Sequence, residues 1–140
     1  MGSWWWAGHC SKCDQTSFRF GWRICLGHAV VRCGTLGTVA GPPPRPHRAQ
    51  FSNLLIVNDT LYVVDAGDGV TRRIAKAGFN VRDVGTIFIT HHHDDHTAGL
   101  GTLMSAAWDN QRTKPINVYG PPRTEDLRDQ NCRRRPLDTD

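Results

Sequence analysis

The sequence predicts an α/β fold, in which a mixed sheet carries flanking helices, and three observations support that prediction. Apolar segments rich in β-branched residues recur along the middle of the chain, segments with helical spacing alternate with them, and turn residues separate the two kinds. At 140 residues, one domain is expected, which would remove about two thirds of its unfolded surface from water. The 14 glycines and 8 prolines indicate short connections rather than long helices.

The first predicted elements are two antiparallel strands, "SNLLIV" at 52–57 and "TLYVVDAG" at 60–67. Asn58 and Asp59 separate them and suit a tight hairpin turn. The nearly continuous apolar character of both segments predicts a sheet that is covered on both faces.

Helices and strands are then expected to alternate. Helical spacing predicts a short helix over 69–77 that ends at Gly78, and a longer one over 97–108. "GTIFIT" at 85–90 and "INVYG" at 116–120 are the third and fourth predicted strands, and "PPRTEDL" at 121–127 can begin another short helix.

Three parts of the chain are expected to differ in character. Residues 1–33 have no steady period and are expected to form an irregular or disordered lead, in which the three tryptophans at 4–6 either cover an apolar surface or stay unstructured. Residues 34–128 form the expected domain, beginning with a glycine- and proline-rich loop over 34–48. Residues 129–140 are expected to be a tail.

Composition restricts the function classes. The net charge of +4 inclines the chain weakly toward polyanions, although its basic residues, including those at 133–135, more ordinarily form a solvated tail. No window is apolar enough for a membrane span, and no secretory signal is expected, so no membrane partner is predicted. Five cysteines without a repeating frame predict a reducing, cytoplasmic location; a zinc knuckle from His9, Cys10 and Cys13 lacks a second ligand pair, and ordinary thiols are preferred.

The highest concentration of potential metal ligands is in "ITHHHDDHTAGL" at 89–100, whose histidines directly follow the third predicted strand. In an extended segment alternate side chains share a side, so His91 and His93 should point together while His92 points away. Asp95 and His96 should then address a second cation where the chain bends into a helix. Imidazole and carboxylate ligands of this kind suit Zn²⁺ and tolerate Fe²⁺ or Mn²⁺. The alternative is a solvated polar loop, but burying four ionisable groups beside a core strand without a metal would be costly.

In this histidine-rich segment and the segments around it, the chain resembles the metallo-β-lactamase fold hydrolases. "LGT", "GPP", "SNLLIV", "VVDAGDGV", "IFITHHHDDHTAGL" and "VYGPP" occur in an order that is similar to the ribonuclease Z and arylsulfatase-like branch. The resemblance covers residues 34–127 and implies a partial αββα sandwich, about the first half of such a fold. It further implies that His91 and His93 bind one Zn²⁺, that Asp95 and His96 bind a second, and that Asp65 supports the metal loop. A turn-stabilising role for Asp65 is an equal alternative.

The implied activity is hydrolysis by a metal-bound hydroxide, with Asp95 as the catalytic residue that orients the nucleophile and handles its proton. A ribonuclease-like substrate would be a phosphodiester, at the 3′ end of precursor tRNA. Small ester, sulfate and lactam substrates are the alternatives.

Two departures from the family pattern bear on whether the chain is an enzyme. Many members carry glycine where this chain has Asp94, whose carboxylate could crowd the loop or add a ligand. No histidine follows His96, whereas the family completes its site with a later histidine, aspartate and histidine. Truncation or a shifted reading frame would explain this, and a catalytically inactive metal-binding fragment is therefore the second hypothesis. A partner chain, such as a second copy in a homodimer, could also complete the site, whereas His9, His28 and His47 show no spacing that aims them at it.

Overall fold

A mixed sheet organises the part of the chain that the computed structural model describes, which comprises residues 23–26, 29–41 and 43–132. The six strands lie in chain order across the sheet: β1 Arg23–Leu26, β2 Ala29–Gly37, β3 Ser52–Val57, β4 Thr60–Val64, β5 Val84–Phe88 and β6 Asn117–Tyr119. The helices are α1 Val70–Lys76, α2 Asp94–Thr97, α3 Leu100–Asp109 and α4 Thr124–Cys132, with a 3-10 turn at Val81–Asp83.

The first four strands pair antiparallel, and the turn between β3 and β4 is the predicted one. Asn58 and Asp59 both adopt left-handed backbone conformations, with φ of 48° and 62°. Positive φ at both central residues produces the turn whose twist matches a two-residue hairpin. The hairpin prediction is therefore confirmed.

The last three strands run parallel, so their carboxyl ends meet at one edge of the sheet. Helix α1 connects β4 to β5; it begins after Gly69 and is followed by Gly78, both with positive φ. Helix α3 then connects β5 to β6. This edge is where the histidine-rich segment emerges, directly after β5.

One hydrophobic core joins the sheet to the helices. It contains alternate residues of the central strands, such as Leu54, Ile56 and Ile87, together with Ile74 of α1 and Leu103 of α3. These five side chains are buried to 1% exposure or less. None of the described helices is long and apolar enough to cross a membrane.

Among the described residues, one face of the sheet is fully covered and the other is half-exposed, so the expectation of a sheet covered on both faces is met on one face only. Burial alternates along β3, where Leu54 and Ile56 are buried but Leu55 and Val57 are only half-buried. The same outer face carries an aromatic ladder of Tyr62, Phe88 and Tyr119, with neighbouring ring centroids 6.3 and 5.6 Å apart.

Several predicted boundaries also need correction. Residues 23–26 and 29–33, expected to be irregular, are strands, and β2 continues through residues 34–37 of the predicted loop and across the predicted domain boundary. The other residues of the lead lie outside the described ones. The helix predicted over 97–108 corresponds to α3, which begins three residues later, at Leu100; residue 97 instead ends the short helix α2. The helix α4 extends to 132, three residues beyond the predicted start of the tail at 129.

Candidate metal centre

Strand β5 leads directly into the predicted ligands. The strand ends at Phe88 and the chain bends at Thr90; His93, with an extended backbone of φ −66° and ψ 148°, then precedes the single turn α2. The alternation brings His91 and His93 to the same side, with ring centroids 4.6 Å apart. The predicted convergence of these two imidazoles is thus present in the structure.

His96 and Asp95 join the same cluster from α2. The His96 ring centroid lies 4.0 Å from that of His91, and its Nε2 lies 3.6 Å from Asp95 Oδ2. The side chains of His96 and Asp95 are 14% and 10% exposed. The structure therefore brings together all four residues predicted to bind metal, at the rim of the core.

Asp65 lies beneath the cluster as a fully buried carboxylate. It follows β4 with a left-handed backbone, φ 62°, which aspartate tolerates better than most residues. Its Oδ1 accepts a hydrogen bond from Thr90 N at 2.8 Å, and its Oδ2 lies 2.8 Å from His96 Nδ1. Asp65 therefore ties β4 to the segment that carries the histidines, while its part in metal binding stays a prediction.

These contacts fix which nitrogens of two rings carry protons. The Thr90 hydroxyl has one proton, which it donates to Asp65 Oδ2 at 2.8 Å, so it accepts from His91 Nδ1 at 3.0 Å. His96 Nδ1 donates to Asp65 directly. In a neutral imidazole whose Nδ1 is protonated, Nε2 keeps its lone pair. One buried carboxylate thus leaves the Nε2 atoms of both His91 and His96 in the form that binds a metal.

Asp95 is held by a second long-range contact. Its Oδ2 accepts a hydrogen bond from the backbone N–H of Gly41 at 2.6 Å. This bond, reinforced by the nearby imidazoles of His96 and His93, holds the pKa of Asp95 below its usual range although burial opposes the shift. Asp95 is consequently an ionised hydrogen-bond acceptor at neutral pH.

Close backbone packing places α2 against the end of β4. Ala66 N donates to His96 O at 2.7 Å, and Gly99 N donates to Ala66 O at 2.8 Å. A Cβ at Gly67 would collide with the backbone oxygen of Asp95, and one at Gly99 with the oxygen of Gly67. Glycine at these two positions lets the segments approach closely enough for Asp65 to reach His96.

Two residues of the segment point elsewhere. His92 Nε2 lies 2.8 Å from Thr124 Oγ1, at the start of α4. Asp94 is exposed in the first turn of α2 and does not have a positive φ. That position therefore accepts a side chain, and a carboxylate near a helix amino terminus is favourable.

The donor types and tautomers fit Zn²⁺, but the ligand set is incomplete among the residues the structure describes. No group of three or more His, Cys, Asp or Glu side chains in that part of the chain is arranged to hold a metal ion. Structural and catalytic zinc sites use three or four protein ligands. The cluster therefore brings suitable donor atoms close together, without forming a complete metal site among the described residues.

The other candidate ligands do not join the cluster where they are described. His47 is exposed in the loop after β2, and Cys33 is an exposed free thiol. His9, Cys10, Cys13 and His28 lie outside the described residues, as do the tryptophans at 4–6 and the arginines at 133–135. Arg123 forms an exposed ion pair with Asp126 at 3.2 Å, in keeping with a solvated basic surface.

Sequence reasoning missed three residues that shape the site. The Thr90 hydroxyl forms hydrogen bonds with both Asp65 and His91. The Gly41 N–H donates to Asp95, and the Phe51 ring packs on His96 with ring centroids 4.9 Å apart. Thr90 could have been suspected, because it stands between the strand and the histidines. Gly41 and Phe51 are distant along the chain, and no local pattern points to them.

Comparison with known proteins agrees with this arrangement. Residues 45–136 match the family model of the metallo-beta-lactamase superfamily. Ribonuclease Z from Thermoplasma acidophilum is 38% identical over 81 residues, which are 58% of this chain and 26% of that protein. Ribonuclease Z from Mycobacterium avium is 36% identical over 101 residues, or 70% of this chain and 36% of that protein.

A solved structure shows the same likeness. The short form of human tRNase Z superposes with a TM-score of 0.62 at 33% identity, over 72% of this chain and 37% of that one. The chain therefore spans about a quarter to a third of the length of the curated relatives above. The predicted fold class, part of a metallo-β-lactamase sandwich, is confirmed, and the chain belongs to the metallo-β-lactamase superfamily.

Proposed function

We propose that this chain carries half of the two-metal centre of a ribonuclease Z-like hydrolase, which cleaves phosphodiester bonds at the 3′ end of precursor tRNA. The observation that carries the proposal is the convergence of three imidazoles and an ionised carboxylate at the end of β5. The similarity to proteins named ribonuclease Z and tRNase Z supports the choice of substrate.

The proposed ligands are His91 and His93 for one Zn²⁺, and Asp95 and His96 for the other. Asp65 acts on both groups through its contacts with Thr90 and His96. Buried hydrogen-bond partners of this kind hold imidazole rings in their ligand orientation and raise their basicity. Mn²⁺ or Fe²⁺ could occupy the same donor set.

Bound Zn²⁺ would lower the pKa of a water toward neutrality and polarise the phosphoryl oxygen of the substrate. Asp95 is the proposed catalytic residue beside it. Because its pKa is lowered, Asp95 is ionised at neutral pH and can accept a hydrogen bond from the attacking water. A carboxylate with a low pKa is a weak general base, so we assign Asp95 the role of orienting the water rather than that of accepting its proton.

The substrate and partners follow from the same proposal. RNA would meet the chain through phosphate contacts with exposed arginines, which are not sequence-specific. The missing ligands would come from further residues of the protein or from a second copy in a homodimer. A cytoplasmic location is part of the proposal, and a small ester, a sulfate ester or a lactam would be the substrate if RNA is not.

A second candidate function is a metal-binding module without catalytic activity. It is favoured because no three of the described His, Cys, Asp or Glu side chains are arranged to hold a metal ion. Two ligands from one loop would hold Zn²⁺ weakly and leave it easily removed by a chelator.

The two candidates differ in metal content and turnover. We would measure Zn²⁺ per chain after dialysis against a weak chelator, and hydrolysis of a simple phosphodiester, for the wild type, His93→Ala and His47→Ala. If the chain is an enzyme, we expect two retained metals per chain and turnover that His93→Ala abolishes. The control His47→Ala, at an exposed position, should keep both the metals and the turnover. Substoichiometric metal without turnover would favour the non-catalytic module. Turnover that survives in His93→Ala would refute the assignment of the site.

A further inference from the structure

His92, the histidine that faces away from the cluster, contacts a different element of the fold. Its Nε2 lies 2.8 Å from the hydroxyl oxygen of Thr124, 32 positions further along the chain at the start of α4. Thr124 is only 4% exposed. A buried hydroxyl that meets an imidazole is a specific contact, because an unsatisfied buried polar group would be costly.

The direction of this hydrogen bond follows from the inventory of protons. Thr124 Oγ1 donates its single proton to the backbone oxygen of Pro121 at 2.7 Å. Toward His92 it can therefore only accept. His92 must carry its proton on Nε2, the opposite tautomer from His91 and His96, whose Nδ1 atoms are the donors.

The turn that presents Thr124 is packed tightly against the end of β5. Ile89 N donates to Tyr119 O at 2.7 Å, which places the ends of β5 and β6 side by side. At Gly120 a Cβ would lie 2.5 Å from Thr124 Oγ1 and 3.1 Å from Ile89 Cβ. A side chain at 120 would displace the hydroxyl, so this glycine gives Thr124 its place beside the histidine segment.

The histidine segment is anchored on both sides of His92. Thr90 N donates to Asp65 on one side, and His96 N donates to His93 O on the other. Between these anchors His91 bonds its neighbour Thr90. Among the described side-chain hydrogen bonds of residues 91–93, the one from His92 to Thr124 connects the segment to a separate element, helix α4.

We propose that His92 is a positioning residue, whose hydrogen bond to Thr124 fixes the backbone so that His91 and His93 project together into the cluster. Because neighbouring side chains of an extended segment point to opposite sides, holding residue 92 outward holds residues 91 and 93 inward. The use of those two rings as metal ligands rests on the proposed function, whereas the orientation itself does not.

The test compares variants of the full chain in pairs. Thr124→Val and His92→Leu remove the hydrogen bond between these two side chains. Thr124→Ser keeps the hydroxyl, and His92→Gln keeps an Nε2 donor. Two-bond ¹H–¹⁵N spectra at about pH 8, above the ordinary imidazole pKa of about 6.5, report the His92 tautomer. Ring-proton cross-relaxation reports the proximity of His91 and His93, and chelator competition reports Zn²⁺ affinity. Thermal midpoints identify any variant that has lost its fold.

We expect the Nε2–H tautomer for His92 in the wild type and in Thr124→Ser, and a mixture of tautomers in Thr124→Val. The His91–His93 cross-relaxation should weaken in Thr124→Val and His92→Leu, and Zn²⁺ affinity should fall about 10-fold or more, as for other hydrogen-bond partners around a metal. The Ser and Gln variants should stay within about 3-fold.

Unchanged cross-relaxation in a folded His92→Leu, or an Nδ1–H tautomer in the wild type, would overturn the inference. If the wild type binds no Zn²⁺, the proposed function fails, but the tautomer and the cross-relaxation still decide the role of His92.

Discussion

The buried carboxylate of Asp65 lies 2.8 Å from Nδ1 of His96, and through the Thr90 hydroxyl it also reaches Nδ1 of His91. One fully buried side chain therefore sets the tautomers of two rings that approach from different elements, the extended end of β5 and the turn α2. Because both Nε2 atoms are left as acceptors, the geometry at Asp65 links the fold of the sheet edge to the proposed metal binding.

Replacing Asp65 with asparagine should weaken both stability and metal binding. Asparagine tolerates the same left-handed backbone, but its NH₂ group cannot accept from His96 or Thr90, so one buried donor loses its partner. We expect a loss of about 1–3 kcal/mol in the free energy of unfolding and a 10–100-fold loss in Zn²⁺ affinity. Denaturant titration and chelator competition measure these two quantities.

Asp109→Asn serves as the control, because Asp109 is exposed at the end of α3. It should change stability by no more than about 0.5 kcal/mol. Equal effects of the two substitutions would show that Asp65 has no special role.

The lowered pKa of Asp95 predicts a specific pH dependence of stability. Since its pKa in the folded protein lies below the usual aspartate value of 3.8, its ionised form stabilises the fold fully above that value. The contribution is lost as pH falls through the lower, folded pKa. The difference in unfolding free energy between the wild type and Asp95→Asn should therefore be present at about pH 5 and shrink below about pH 4.

Urea titrations of both proteins at closely spaced pH values measure this difference, in which the other carboxyl groups largely cancel. If the stability difference between the two proteins stays constant or increases below about pH 4, the pKa of Asp95 is not lowered by the fold.

The close approach between α2 and the end of β4 predicts that Gly99→Ala is destabilising. Its Cβ would collide with the backbone oxygen of Gly67 and lie 2.9 Å from Val70 Cγ1, which forces the segments apart. We expect a loss of about 1–3 kcal/mol, measured by thermal or denaturant unfolding. The matched control is Gly85→Ala in β5, whose Cβ would lie at an ordinary contact distance of 3.8 Å from Arg112 Nη2. Similar losses of stability in the two variants would refute the packing argument.

Helix α3 should hold to the sheet mainly through its inward face. Leu103 is fully buried, and Leu103→Ala should cost about 2–5 kcal/mol, because it removes apolar contacts and leaves a cavity. Thr102 is its exposed neighbour, and Thr102→Ala should stay within about 0.5 kcal/mol. Chemical denaturation distinguishes these outcomes, and a small effect at 103 would show that α3 does not anchor the core.

The sequence allowed the elements with strong local signals to be predicted. The turn at Asn58 and Asp59, the helix between Gly69 and Gly78, and the strands at 84–88 and 117–119 lie close to where their patterns indicated. Strand β2 was missed because its glycines weaken the pattern and its pairing with β3 is long-range. A Cβ at Gly37 would collide with the backbone of Gln50, so a residue that suggests a loop in the sequence is required there by close strand packing.

The candidate site divides in the same way. His91, His93, Asp95 and His96 are nearly contiguous. Alternation along an extended segment predicted that His91 and His93 would converge, and the bend into a helix placed Asp95 and His96 beside them. Their supports come from Asp65, Gly41 and Thr124, which tertiary folding brings from 26, 54 and 32 positions away from His91, Asp95 and His92, respectively. Only Asp65 was anticipated, through the family resemblance, because no local pattern encodes contacts over such separations.

A Zn²⁺ titration followed through the histidine ring signals of the ¹⁵N-labelled chain shows whether the clustered imidazoles bind metal. We expect the signals of His91, His93 and His96 to change together on the first additions of Zn²⁺, with Nε2 as the responding nitrogen of His91 and His96, while the signal of the exposed His47 stays unchanged. If the His47 signal changes at the same time, or if the signals of the three clustered rings do not change, the convergent imidazoles at the end of β5 are not a metal centre.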